Sequence, residues 1–305
     1  MRAARIHRFG PPEVIVIDDL PRPAPGAREL LVRVAASGVG PWDALIREGK
    51  SKVSPPPPLT LGSDLSGVVE AVGPDVTEYQ RGDEVYGVTN AQFCGAQADY
   101  ALARADMMAR KPRSLGHVEA ASVPVVAVTA WQMLFEYAHV QAGQTVLITG
   151  ASGNVGAYAV QFAVSAGLHV SATVRAREAD FVRNLGAKLI VDPQHERFDE
   201  TMPSVDVIID TVGGDTLARC FQGLKAGGIL VSVVSTESLP RRPGVTSVFF
   251  YAEVSTDRLD TISGWLDSGK LVTHVGTVLP LEDVREAHEM LAGAPHKRGK
   301  IVLVL

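Results

Sequence analysis

Apolar and polar positions follow two rhythms along this chain, and the change of rhythm divides it. The first third is made of short runs. ARIHRF (4–9), EVIVID (13–18) and ELLVRVAAS (29–37) alternate or run apolar, parted by the turn clusters GPP and RPAPG. GVVEAVG, RGDEVYGV and ADYALARA continue in the same way. Short, closely spaced strands predict a small barrel or sandwich. Near Lys111–Pro112 the character changes. Residues Val118–Tyr137 are Ala-rich and apolar without a glycine, which predicts a helix.

From Thr145 onward, strands and helices take turns. TVLITG, LHVSATV, KLIVD, DVIIDTV and GILVSVV are continuous apolar, β-branched runs. AYAVQFAVSAG and ADFVRNLG between them have helical patterning and end at Gly167 and Gly186, as helix C-caps do. Continuous apolar strands alternating with helices predict an α/β fold: a doubly wound parallel sheet covered on both faces. The tail adds a helix near Asp257–Asp267, apolar spacings of three and four over Leu281–Leu291, and a last strand, KIVLVL. Periodicity leaves open whether this tail extends the parallel sheet or returns to the first part.

Composition narrows the picture. A length of 305 residues predicts two domains. A net charge of −5 gives no footing for nucleic acid. No apolar run reaches membrane-spanning length, and MRAARIHRFG lacks the apolar core of a signal peptide. Two cysteines, Cys94 and Cys220, support neither a disulfide framework nor a four-cysteine zinc site, which suits a cytoplasmic protein.

The candidate chemistry lies in the turn after TVLIT. Ala151-Ser152-Gly153-Asn154-Val155-Gly156 reads A-x-G-x-x-G, preceded by Gly150. Gly153 would let the backbone approach a pyrophosphate, Gly156 would let the helix pack on its strand, and the helix N-terminus would offer free N–H groups. The same string also fits T-G-x-x-G-x-x-G, the pattern of extended short-chain dehydrogenases. That pattern belongs at an N-terminus and needs a downstream Y-x-x-x-K. Here Tyr158 is followed four residues on by Phe162 and Tyr251 by Ser255, so this reading is rejected. The second strand ends in Arg175-Ala176-Arg177, where an NAD site would carry an acid. Guanidinium groups can pair with a 2′-phosphate, so NADPH is the expected cofactor.

Taken together, ASGVGPWDALIREG (36–49), LGSDLSGVVEAVGPDV (61–76), GDEVYG, TAWQML, ITGASGNVG, DTVGGDTL, LKAGGILVSVVS and HKRGKIVLVL run nearly end to end. In this order the chain resembles the zinc-free, quinone-oxidoreductase-like (zeta-crystallin type) branch of the medium-chain dehydrogenases/reductases. The resemblance implies a chaperonin-like β-barrel catalytic domain from residues 1–118 and 253–305, and a Rossmann domain from 119–252. The tail should then return to the barrel, and two subunits should pair as a homodimer.

The resemblance also implies roles. Where zinc-dependent relatives carry ligands, this chain has Gly40, Ser63 and Val125, so no metal is expected. Gly40, Trp42, Asp43 and Phe250 fall at the acceptor pocket, with the Pro55–Pro58 loop beside it. Gly40 replaces the family's Asn. Thr129, Val212, Val234, Phe249, Phe250 and Arg298 join the glycine loop and the two arginines around the cofactor. Pro193 stands where relatives often carry a tyrosine. Without a Lewis acid, a conjugated acceptor is the natural substrate, since its negative charge spreads into a phenolate or enolate. The expected activity is hydride transfer from NADPH to a quinone or α,β-unsaturated carbonyl. An enoyl-thioester reductase and a non-catalytic NADPH-binding protein are the alternatives. No side chain stands out as proton donor.

Overall fold

A computed structural model describes residues 1–194, 204–234 and 239–305. Two compact units divide the chain: Met1–Val125 with Glu253–Leu305, and Val126–Ala252.

The first unit is built on the strand Glu29–Val39. Along one side it pairs with Asp64–Val72. Along the other it pairs with Tyr100–Arg104 in its first half and with the last strand, Lys300–Val304, in its second. Register shifts near Leu31 and Val34 bend the strand, as bulges do, and let it serve both partners. Val275–Pro280 extends this sheet at one end, and Glu84–Val88 with Met108–Arg110 at the other. A smaller sheet sets Arg2–Ile6 between Ile15–Asp19 and Leu59–Thr60. The pairing of Ile301 with Val39 and Leu303 with Ser37 brings the tail back to the first unit. Leu30, Val32, Leu65, Val85 and Met108 fill one core, and Ile6, Ile15, Ile46, Leu61, Leu281 and Leu303 another. Each such side chain contributes about 1.5–3 kcal/mol by leaving water.

The helix expected over 118–137 is broken. His117–Ala121 ends before Pro124, which has no N–H to donate back. A new helix runs Pro124–Trp131, and π-helical turns follow over Gln132–Tyr137. The short first helix packs on Glu29–Val39 and Asp64–Val72. The first unit's opening segment runs to Val125.

The second unit is a parallel sheet of six strands in the order Leu189–Val191, His169–Thr173, Thr145–Ile148, Val205–Asp210, Leu224–Ser232, Thr246–Phe249. This is the doubly wound order 3-2-1-4-5-6. Val146, Leu147 and Ile148 are all buried, as are Val207, Ile208 and Ile209, because both faces are covered. The helix Asn154–Ser165 turns Phe162 onto Trp131 and Phe135 at ring separations of 5.5 and 6.1 Å. The strand order reverses between Thr145–Ile148 and Val205–Asp210, and in such sheets the crevice beyond the carboxyl ends at that point receives ligands.

Candidate active site

The glycine loop sits at this reversal. Gly150 carries the left-handed turn, φ +64°, so Ala151 beside it needs none and is fully buried. Gly156 lies against the loop itself: a Cβ there would be 2.3 Å from the Gly150 carbonyl oxygen. Gly153 differs. It is exposed and caps the helix, and a Cβ there would meet only that same oxygen, at 3.2 Å. Its bare Cα faces open space, as the approach of a phosphate requires. The first N–H groups of the helix, at Asn154, Val155 and Gly156, have no earlier turn to bond and are free for an anion.

Asp210 organises the crest next to the loop. Its carboxylate is fully buried. One oxygen accepts the Thr149 hydroxyl at 2.7 Å and the N–H groups of Val212 and Gly213 at 3.2 and 3.0 Å. The other accepts the Ser232 hydroxyl at 2.7 Å. Three neighbouring strands thus end on one carboxylate. Thr149, Asp210 and Ser232 are polar positions inside the apolar runs TVLITG, DVIIDTV and GILVSVV, a signal that does not by itself pick out Asp210. Beyond it Val212 and Val234 are each 45% exposed, an apolar rim on an otherwise polar crest. Thr129 is buried on its helix.

Arg175 and Arg177 stand exposed just after the second strand. Asp192, at the end of the third strand, was not anticipated there. Its carboxylate accepts the N–H of Ala176 at 2.7 Å and of Gln194 at 2.9 Å, so it shapes the turn that presents the arginines. His195 and Glu196, after Pro193, lie outside the described residues. At the sheet edge Phe249 sits edge-on to Tyr251, while Phe250 is buried and stacks on Tyr137 at 4.2 Å. The Phe250 ring therefore packs within the second unit.

In the first unit, Gly40 begins the helix Pro41–Arg47, and the fully buried Asp43 accepts the Gly40 N–H at 2.8 Å. Burial pushes the Asp43 carboxyl up to about 7, against the pull of the Gly40 N–H and Lys300. Trp42 lies across Gly40: a Cβ at residue 40 would be 2.3 Å from the indole Cη2. The Trp42 N–H donates to Ser63 Oγ at 3.0 Å. Below the ring, the Lys300 ammonium is 4.1 Å from its centroid and 3.0 Å from Asp64 Oδ2. The other Asp64 oxygen accepts the Val125 N–H at 3.1 Å. Burial raises the Asp64 pKa, and Lys300 and Val125 oppose the rise. Arg298 is exposed in the turn before the last strand. Cys94 packs half-buried on the neighbouring core, and burial pushes its thiol up.

Comparison with known proteins fits this geometry. Residues 26–150 match the alcohol dehydrogenase GroES-like domain and residues 185–303 a zinc-binding dehydrogenase family. Quinone oxidoreductase from Pongo abelii is 32% identical, over all of this chain and 98% of that one. The chain belongs to the quinone oxidoreductase family of the medium-chain dehydrogenases/reductases. Among solved structures, quinone oxidoreductase from Coxiella burnetii superposes with a TM-score of 0.89 at 28% identity, covering all of this chain and 99% of that one. A cobalt- and zinc-bound thermostable alcohol dehydrogenase from Pyrobaculum aerophilum superposes with a TM-score of 0.88 at 30% identity, over 100% and 99% of the two chains. The fold, a GroES-like unit with a Rossmann unit, and a nicotinamide-dinucleotide oxidoreductase class follow from this membership.

The zinc of some members of this superfamily finds no fitting donor set at Gly40, Ser63 and Val125, where the resemblance would place its ligands. Gly40 offers no side chain, and Trp42 fills the space where one would project. Ser63 is engaged by the indole N–H, and Val125 is apolar. Among the described residues no three His, Cys, Asp or Glu side chains come together as a metal site. Nor is any helix among them long and apolar enough to cross a membrane.

Proposed function

We propose that this member of the quinone oxidoreductase family is an NADPH-dependent, zinc-independent reductase of quinones or α,β-unsaturated carbonyls. The observation that carries the reading is the filling of the metal positions by Gly40, the Trp42 indole and its Ser63 partner. With no Lewis acid, an acceptor whose charge delocalises after reduction is the one this protein can serve.

NADPH supplies the hydride when bound. The second unit's own residues do the holding. The loop from Gly150 to Gly156 and the helix N–H groups take the pyrophosphate, and Arg175 and Arg177 take the 2′-phosphate. Val212, Val234, Phe249 and Thr129 flank the nicotinamide end. Trp42 forms a flat wall for the acceptor. Asp43 supports that wall from below, holding the helix start through Gly40. Catalysis on this reading is chiefly orientation and exclusion of water. The outer edge of Thr246–Phe249 has no partner strand among the described residues, which supports pairing with a second subunit.

The test is NADPH consumption in the presence of a chelator against 1,4-benzoquinone, 9,10-phenanthrenequinone, a 2-alkenal and crotonyl thioester. Turnover of a quinone or the alkenal is the expected result. Turnover of the thioester alone would make this an enoyl-thioester reductase, and no turnover of any would make it an NADPH-binding protein without this activity.

A further inference from the structure

We propose that Lys300 is a positioning residue that clamps the Trp42 indole into the acceptor wall. This rests on the reading above, in which Trp42 faces the acceptor.

Three contacts leave the indole one orientation. Its benzo edge lies on the bare Cα of Gly40, with no room for a Cβ. Its N–H is tied to Ser63 Oγ at 3.0 Å. The Lys300 ammonium stands 4.1 Å from the ring centroid. Lys300 is itself fixed, because Asp64 holds the ammonium at 3.0 Å and bonds the Val125 N–H with its second oxygen. The clamp is therefore anchored on the last strand, on the strand Asp64–Val72, and at the start of the helix Pro124–Trp131.

The choice of a lysine here needs a reason. Lys300 is 1% exposed and Asp64 is fully buried. Burying two charges costs more than burying two apolar side chains of similar volume, and their mutual attraction often only offsets that cost. Simple support under a tryptophan would not need a charge. A cation on one face of an indole does need one, since it attracts the ring quadrupole and resists sliding and flipping. Trp42 is partly buried rather than fully enclosed, so some of the side chain is left for a planar acceptor. A fixed ring presents that surface without losing rotamer entropy on binding. Gly40 and Lys300 thus form a matched pair around one side chain: the glycine makes room for the ring and the ammonium holds it there.

The chain has three tryptophans, so a W131F/W265F background makes Trp42 the only indole emitter. Three changes are compared in it: Lys300→Met, Lys300→Met with Asp64→Asn, which removes both charges together, and Lys300→Arg, which keeps a cation. Acrylamide quenching reports the freedom of Trp42. Steady-state kinetics with 9,10-phenanthrenequinone and NADPH titration report the acceptor and cofactor separately. Without the ammonium, quenching and acceptor KM should each rise about fivefold, with NADPH Kd and kcat unchanged. Lys300→Arg should return both toward the parent. A double variant that loses only thermal stability, with quenching and acceptor KM unchanged, would make the pair a packing element and overturn the proposal. If the parent turns over no acceptor, the proposed activity fails. The quenching result then decides the clamp alone: increased quenching without the ammonium upholds it, and unchanged quenching sinks it.

Discussion

Thr149 and Asp210 are joined side chain to side chain at 2.7 Å, across neighbouring strands and directly beneath the glycine loop. The same threonine hydroxyl accepts the Thr211 N–H at 3.0 Å, and the Thr211 hydroxyl donates to the Thr149 carbonyl at 2.7 Å. The crevice at the strand reversal is thus locked by polar bonds, where the apolar sheet itself ends. Asp210→Ala should leave two hydroxyls and two N–H groups without their acceptor. The expected loss is about 3 kcal/mol in urea unfolding. Thr149→Val removes a donor to Asp210 and the acceptor of the Thr211 N–H and should cost about 1–3 kcal/mol. Both should weaken NADPH binding, because the loop loses its footing.

Two glycines of the loop should respond differently to the same methyl group. Gly156→Ala places a Cβ 2.3 Å from the Gly150 carbonyl, where backbone has to move. It should cost about 1–3 kcal/mol of stability, as overpacking does. Gly153→Ala meets one atom at 3.2 Å and should fold almost as the parent does. Its methyl instead stands where a phosphate would approach, so NADPH Kd should rise about tenfold or more. Thermal melts and a fluorescence titration separate the two cases. Equal loss of binding without a stability difference would contradict the loop geometry.

Much of this was legible before any coordinates. The parallel sheet follows from apolar runs that need burial on both faces, and Gly150 to Gly156 mark its ligand turn. What the sequence concealed was mostly polar and long-range. Asp64 and Lys300 are 236 positions apart, and only the return of the last strand onto Glu29–Val39 brings them together. Trp42 likewise meets Ser63 and Lys300 only through the fold, which no local pattern around residue 42 announces. The helix over 118–137 was overextended because apolar content outweighed one proline, Pro124.

Arg175 and Arg177 supply the next test. A guanidinium paired with a phosphate is worth about 1.5–3 kcal/mol, so each Arg→Ala change should raise the NADPH KM about tenfold or more. NADH has no 2′-phosphate, and its KM should change far less. The ratio of kcat/KM for the two cofactors is the measurement. A similar change for both would remove the 2′-phosphate assignment and leave NADH equally acceptable.

Stability against pH has two opposed contributions, both from the helices that meet in the first unit. His288 is buried, and its Nδ1 lies 2.8 Å from the buried Arg47 guanidinium. Burial and then Arg47 hold its pKa down to about 3. An unfolded histidine titrates near 6.5. Between these values the unfolded chain binds the extra proton, so His288 makes stability fall as pH drops from about 6.5 toward 3. Asp43 acts in reverse. Its folded pKa is about 7, against roughly 3.9 for an unfolded aspartate, so the folded chain keeps the proton and stability falls as pH rises from about 4 to 7. Each slope approaches about 1.4 kcal/mol per pH unit, and over pH 4 to 6.5 the two nearly cancel. Asp43→Asn keeps an acceptor for the Gly40 N–H and removes one term. Its unfolding free energy should therefore rise with pH across that window. His288→Gln keeps an acceptor for Arg47 and should fall across the same window. Urea unfolding of the three proteins at pH 4.5, 5.5 and 6.5 measures both slopes, and identical profiles would refute the assignment of these two groups.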